Sequence, residues 1–112
     1  MNLVDRVRDS LAGQPAAREV TMFGGLAFLV SERMVVSVGR DGSLLVRVDP
    51  ERSVELLATH GARPAEMGSG RAMGDSWISV AAHAVEAEQD LTFWLGVALD
   101  RHAKNAREPH RA

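Results

Sequence analysis

The chain has no cysteine and no tyrosine, and its only aromatic residues are three phenylalanines and two tryptophans. Without cysteine, disulfides, thiolate metal sites and thiol catalysis are all excluded. Long apolar runs are missing too. The longest, residues 24–30, falls far short of the roughly 20 residues a membrane helix needs. The start, Met1-Asn2-Leu3-Val4-Asp5-Arg6, is charged and lacks the apolar centre of a signal peptide. These absences point to a cytoplasmic protein with no membrane association. A net charge of −2 gives no overall attraction to nucleic acid.

What is present fits one domain. A chain of 112 residues should bury about 65% of its unfolded surface, enough for one core. The organising stretch is residues 22–50, where three apolar runs are separated by turn signals. Residues 19–30 read as a first strand, 34–38 as a second and 44–48 as a third. Ser31-Glu32 and Arg40-Asp41-Gly42-Ser43 supply the turns. Because side chains alternate across a sheet, each run splits into two sets. Leu26, Phe28, Val30, Met34, Val36, Val38, Leu44, Val46 and Val48 make a wholly apolar core face. Phe23, Ala27, Leu29, Val35, Ser37, Leu45 and Arg47 fall on the other face, which is too apolar to be simply solvated. A partner, or a loop of the same chain, must shield it.

Helical spacing of Leu3, Val4, Val7 and Leu11 predicts a short opening helix, ended by Gly13 and Pro15. Asp49-Pro50-Glu51 is a helix start, with a capping carboxylate and proline at the first helical position. That helix should reach Thr59, burying Val54, Leu57 and Ala58. Residues 63–67 are extended, and 76–80 read as a further strand. Leu91, Trp94, Leu95, Ala98, Leu99 and His102 share one helical stripe, giving a closing helix to about Lys104. The fold class is therefore α+β, a two-layer α/β sandwich with an antiparallel sheet in the order α-β-β-β-α-β-β-α. One domain covers 1–105, and 106–112 is a flexible basic tail.

No residue set names a reaction, so no catalytic, metal or cofactor site is assigned. The segment Gly68-Ser69-Gly70-Arg71-Ala72-Met73-Gly74 is glycine-rich, yet its spacing fits neither phosphate-loop pattern and a strand follows it. It reads as a connection, with a ligand or enzymatic pocket as the alternative. His60, His83, His102 and His110 are not spaced as a metal pair. No serine has a Gly-x-Ser-x-Gly setting. Phe23, Leu29, Val35, Leu45, Arg47 and Trp77 are the candidate interaction surface. Arg47 and Arg71, with Arg101, Lys104 and Arg107 of the basic end, form the alternative nucleic-acid set.

The run Met22-Phe23-Gly24-Gly25-Leu26-Ala27-Phe28 resembles the N-terminal domain of TfoX/Sxy-type proteins. The likeness continues through Met34, Leu44-Leu45-Val46-Arg47-Val48, Gly61-Ala62-Arg63-Pro64, Gly70-Arg71-Ala72-Met73 and Trp77-Ile78-Ser79-Val80, and closes on Leu91, Trp94-Leu95 and Ala98-Leu99. It implies a two-layer fold like that of secretion chaperones and YgaC-like proteins, in a group where dimers are common. Gly24 and Gly25 would then admit a close neighbour to the strand. The family resembles regulators of competence-gene expression acting with the cyclic-AMP receptor protein, whose full-length members carry a second, helical domain. With the chain read to Ala112, the resemblance implies a stand-alone N-terminal-type domain. The expected function is a non-enzymatic, homodimeric interaction or regulatory module with a transcription-related protein partner and no cofactor.

Overall fold

Asn2 starts the first helix, its side-chain oxygen accepting the Asp5 N–H at 2.9 Å. In the computed structural model, which describes residues 2–22, 24–67 and 70–107, that helix is α1 (Leu3–Leu11). Val7 and Leu11 are its buried residues. Four strands follow: β1 (Ala17–Met22), β2 (Gly25–Val30), β3 (Arg33–Val38) and β4 (Leu44–Arg47). Asp49 then caps a 3-10 turn, Pro50–Arg52, that runs into α2 (Ser53–Leu57). After β5 (Ala62–Pro64) come β6 (Glu66–Met67) and β7 (Arg71–Ala72), then β8 (Trp77–Val80), a second 3-10 turn (Ala82–Val85) and α3 (Glu88–Arg107).

Six strands form one antiparallel sheet in the order β1-β2-β3-β4-β8-β5, and β6 pairs only with β7. Register places Leu26, Val38, Leu44, Val80 and Ala62 on one rung. Phe28, Val36, Val46, Ile78 and Pro64 occupy the next. Residues opposite each other on neighbouring strands share a face, so both rungs present the core side. α3 lies over β3 and β4, and α1 packs beside α3. Trp94, Leu91, Leu95, Val97 and Ala98 carry the buried side of α3, with Trp94 only 1% exposed. Full burial of a leucine or valine side chain stabilises by about 1.5–3 kcal/mol. The α+β class and the antiparallel sheet agree with the sequence expectation.

Three boundaries differ from it. The stretch 19–30 is two strands, because Met22 pairs with Gly25 and the chain reverses between them. Gly24 has φ +78° and carries the Arg40 side chain against it. A side chain at Gly25 would meet the backbone carbonyl of Val38, so the close neighbour of the glycine pair is the end of β3. Second, β3 holds a bulge. Phe28 pairs with Val36 but Leu29 with Met34, leaving Val35 unopposed. The extra residue reverses the alternation, so Val35 is buried in the core at 1% exposure while Met34 faces the other side with Leu29. Third, the 3-10 turn at Pro50–Arg52 changes the helical phase, since its residues advance by 120° and not 100°. Leu56 is thereby buried and Val54 is 84% exposed. The closing helix extends by its backbone to Arg107, so the tail expected from 106 begins inside it, and 108–112 lie outside the described residues.

The edge strand β1 is guarded by charge. Arg18 holds Glu32 through Nε and Nη2, and Arg8 of α1 grips both Glu19 carboxylate oxygens, at 2.7 and 2.8 Å. Charged groups on an edge discourage unwanted strand pairing. Between β2 and β3 the two-residue turn Ser31-Glu32 has both φ angles positive, 51° and 67°. This is the primed hairpin geometry, here without the usual Asn-Gly.

Candidate functional site: an open sheet face and a basic end

The face turned away from α3 is concave. A trough of about 850 Å³ crosses it. Its apolar lining includes Met22, Met34, Leu45 and Met73, and its rim carries Asp41, Glu66, Arg63 and Arg71. Ser37, Leu45 and Ser79 form one rung of the floor, which ends at Arg63 on the rim. The hairpin β6–β7 walls one side and is tied back where the Met73 N–H donates to the Ala65 carbonyl at 2.9 Å. Own-chain shielding is thus partial, and Leu29, Met34 and Leu45 remain half-buried. Asp41 is fixed as a turn acceptor by the Ser43 hydroxyl at 2.7 Å and N–H at 3.0 Å. Those bonds hold its carboxyl below the usual range.

Of the expected interaction residues, Leu29, Leu45, Arg47 and Trp77 lie on this face, the last two as a cross-strand pair. Val35 does not. The bulge sends it into the core, and Met34 takes its place. Phe23 lies outside the described residues. The glycine-rich segment borders the trough through Arg71 and Met73, while Gly68 and Ser69 lie outside the described residues.

The nucleic-acid set divides. Arg71 is on the trough rim, and the backbone of Arg107 belongs to α3. Arg47 ends β4, however, and Arg33, the first residue of β3, lies at the same end of the sheet, while the charges of Arg101 and Arg33 both reach Arg47. The Arg47 guanidinium lies 5.6 Å from the centroid of the Trp77 ring, within cation–π range. Burial, followed by repulsion from Arg101 and Arg33, pushes its pKa down. Lys104 belongs to the same end and donates to Asp49 at 2.7 Å. The Asp49 carboxyl is held below its ordinary range by that bond and by the Glu51 N–H, with Arg101 contributing at longer range.

Sequence reasoning missed Arg33, Met22, Met73 and Arg63. Arg33 follows a turn and looks like a turn charge. Only antiparallel pairing brings it to the end of the sheet where β4 finishes. His60 and His83, distant in sequence, have ring centroids 5.2 Å apart. Among the described residues no group of three or more His, Asp or Glu is arranged to hold a metal, and no helix is long and apolar enough to cross a membrane.

No curated protein matches the chain. Among solved structures, the fold is similar to that of a Pseudomonas syringae protein determined by a structural-genomics consortium. The two share 14% identity and a TM-score of 0.61, over 88% of this chain and 96% of the other. The model of the TfoX N-terminal domain matches residues 9–102, nearly the whole sequence and all the sheet described above. The chain belongs to the TfoX N-terminal domain family.

Proposed function

We propose that this domain is a non-enzymatic interaction module of cytoplasmic regulation, of the competence-regulator kind, and that it works as a homodimer docked through the trough. The observation that carries this reading is the lining of the open face. Three of the five methionines, Met22, Met34 and Met73, line it together with Leu45. Methionine is flexible and polarizable, and it adapts to an apolar partner surface. The rim charges favour a second copy as that partner. Asp41 and Glu66 balance Arg63 and Arg71, so a two-fold axis can set each cation against a carboxylate of the other copy. A balanced rim gives no general attraction to a polyanion.

Sedimentation equilibrium tests the reading. Wild-type protein at tens of micromolar should sediment as a dimer, and Leu45→Glu, which puts a charge on the trough floor, should sediment as a monomer with an unchanged circular dichroism spectrum. A wild-type monomer throughout the high-micromolar range would overturn it.

A further inference from the structure

We infer that Arg33, Arg47 and Arg101 form a phosphate-binding site at the end of the sheet where β3 begins and β4 finishes. This is a different surface from the trough floor, and it does not depend on dimerisation. Antiparallel pairing of β3, β4 and β8 puts Arg33, Arg47 and Trp77 at the same end of the sheet. α3 delivers Arg101 to it, one helical turn before Lys104. Trp77 fixes the Arg47 guanidinium from one side.

Two features set this cluster apart from a chance gathering of surface cations. The Nε atoms of both Arg47 and Arg101 are buried and have no hydrogen-bond acceptor. Such donors are costly to leave unsatisfied, and a charged one more so. Second, among the described residues no carboxylate lies within ion-pair distance of Arg33, Arg47 or Arg101. The nearby Asp49 is already engaged: Oδ2 accepts from Lys104 and Oδ1 from the Glu51 N–H. Among the described residues, Arg33, Arg47 and Arg101 thus have no carboxylate of their own, and Asp49 is committed. Guanidinium groups bind phosphate through paired N–H donors. A phosphate monoester brings about −1.5 to −2 charge and three acceptor oxygens. One carboxylate neutralises less charge and offers fewer acceptors.

The phosphate can come free or on a nucleic-acid strand, and the assay separates these sources. The 112-residue protein is titrated with pyrophosphate at constant ionic strength, following melting temperature and tryptophan fluorescence, in which the half-buried Trp77 beside Arg47, and not the buried Trp94, is placed to feel the ligand. Pyrophosphate should raise the melting temperature and change the fluorescence. Arg47→Gln combined with Arg101→Gln should weaken binding at least tenfold. Arg33→Gln, at an exposed position, should weaken it about threefold or more and serves if the double variant does not fold. Arg47→Lys keeps the charge but loses the fork, and should fall between. Arg40→Gln, in the turn at the opposite end of β3, should bind as wild type.

A fluorescein-labelled single-stranded 12-mer is measured in parallel by anisotropy. Binding tighter than pyrophosphate and lost in the same variants assigns the phosphate to a strand. Pyrophosphate binding without strand binding assigns it to a free phosphate compound. The inference is overturned if pyrophosphate does no more than sodium chloride, if citrate matches it, or if Arg33→Gln and the double variant bind as wild type.

Discussion

The two faces of this sheet share one backbone, yet they are chemically unlike. On the helix side, Phe28, Val36, Val46 and Ile78 form an unbroken apolar rung under α3. On the other side the next rung reads Ala27, Ser37, Leu45, Ser79 and Arg63, a mixed rung of which all but Ala27 line a trough. The covered face has enough partners within the chain to account for the fold. Among the described residues, the open face keeps methionine and leucine side chains half-buried with a short hairpin beside them, and stability alone gives no reason for that. The comparison teaches where to look for use. The covered face should respond to substitution through folding, and the open face through association.

The largest expected effect lies at the centre of the covered face. Trp94→Ala should cost about 3–5 kcal/mol in urea unfolding, the range for a buried aromatic side chain. Leu45→Ala, half-buried on the open side, should cost less than about 1.5 kcal/mol in the monomer. Equal losses at the two positions would erase the distinction between the faces. A sharper contrast uses neighbours in β3. Val35→Ala should cost about 2 kcal/mol because the bulge buries it, whereas Met34→Ala should cost under about 1 kcal/mol. The reverse order would restore regular alternation and remove the bulge.

Smaller effects belong to the sheet's turn and edge. Ser31 has positive φ without being glycine. Asparagine tolerates that conformation better, so Ser31→Asn should stabilise by about 0.5–1 kcal/mol in thermal unfolding. The weakest effect is electrostatic. Glu19, Glu32, Asp41 and Asp49 all have folded-state pKa values held down, by Arg8, Arg18, Ser43 and Lys104 respectively. A depressed carboxylate contributes stability that is fully present above its unfolded pKa of about 4 and is lost as pH falls through the lower folded value. Melting temperature should therefore be insensitive to these groups above about pH 5 and drop below about pH 4. Asp49→Asn should flatten part of that drop. Because Glu19 and Glu32 sit in solvent-screened surface pairs, their share of the change should be small.

Much of this was legible in the residues themselves. The stripe Leu91, Trp94, Leu95 and Ala98 announced α3, and alternation placed Leu26, Val36 and Val46 on one side, as the register confirms. The glycine pair revealed a close approach without revealing that the approaching group is the end of β3 within the same chain. Two features could not be read. A bulge inserts one residue with no compositional mark, since Met34, Val35 and Val36 are all good strand residues, and so Val35 was placed on the wrong face. A 3-10 turn likewise rotates a helix without altering its composition, which exchanged Val54 for Leu56. The basic end was half legible. Arg47, Arg101 and Lys104 stood out as charges, but Arg33 reaches them only through strand pairing, which is non-local.

Whether the open face is an interface between copies can be measured directly by the rate of methionine oxidation in dilute peroxide, resolved by peptide mapping of Met22, Met34 and Met73. All three should oxidise several-fold more slowly at high micromolar than at low micromolar concentration, with the difference abolished in Leu45→Glu. Oxidation at one rate across that range, identical in both proteins, would contradict it.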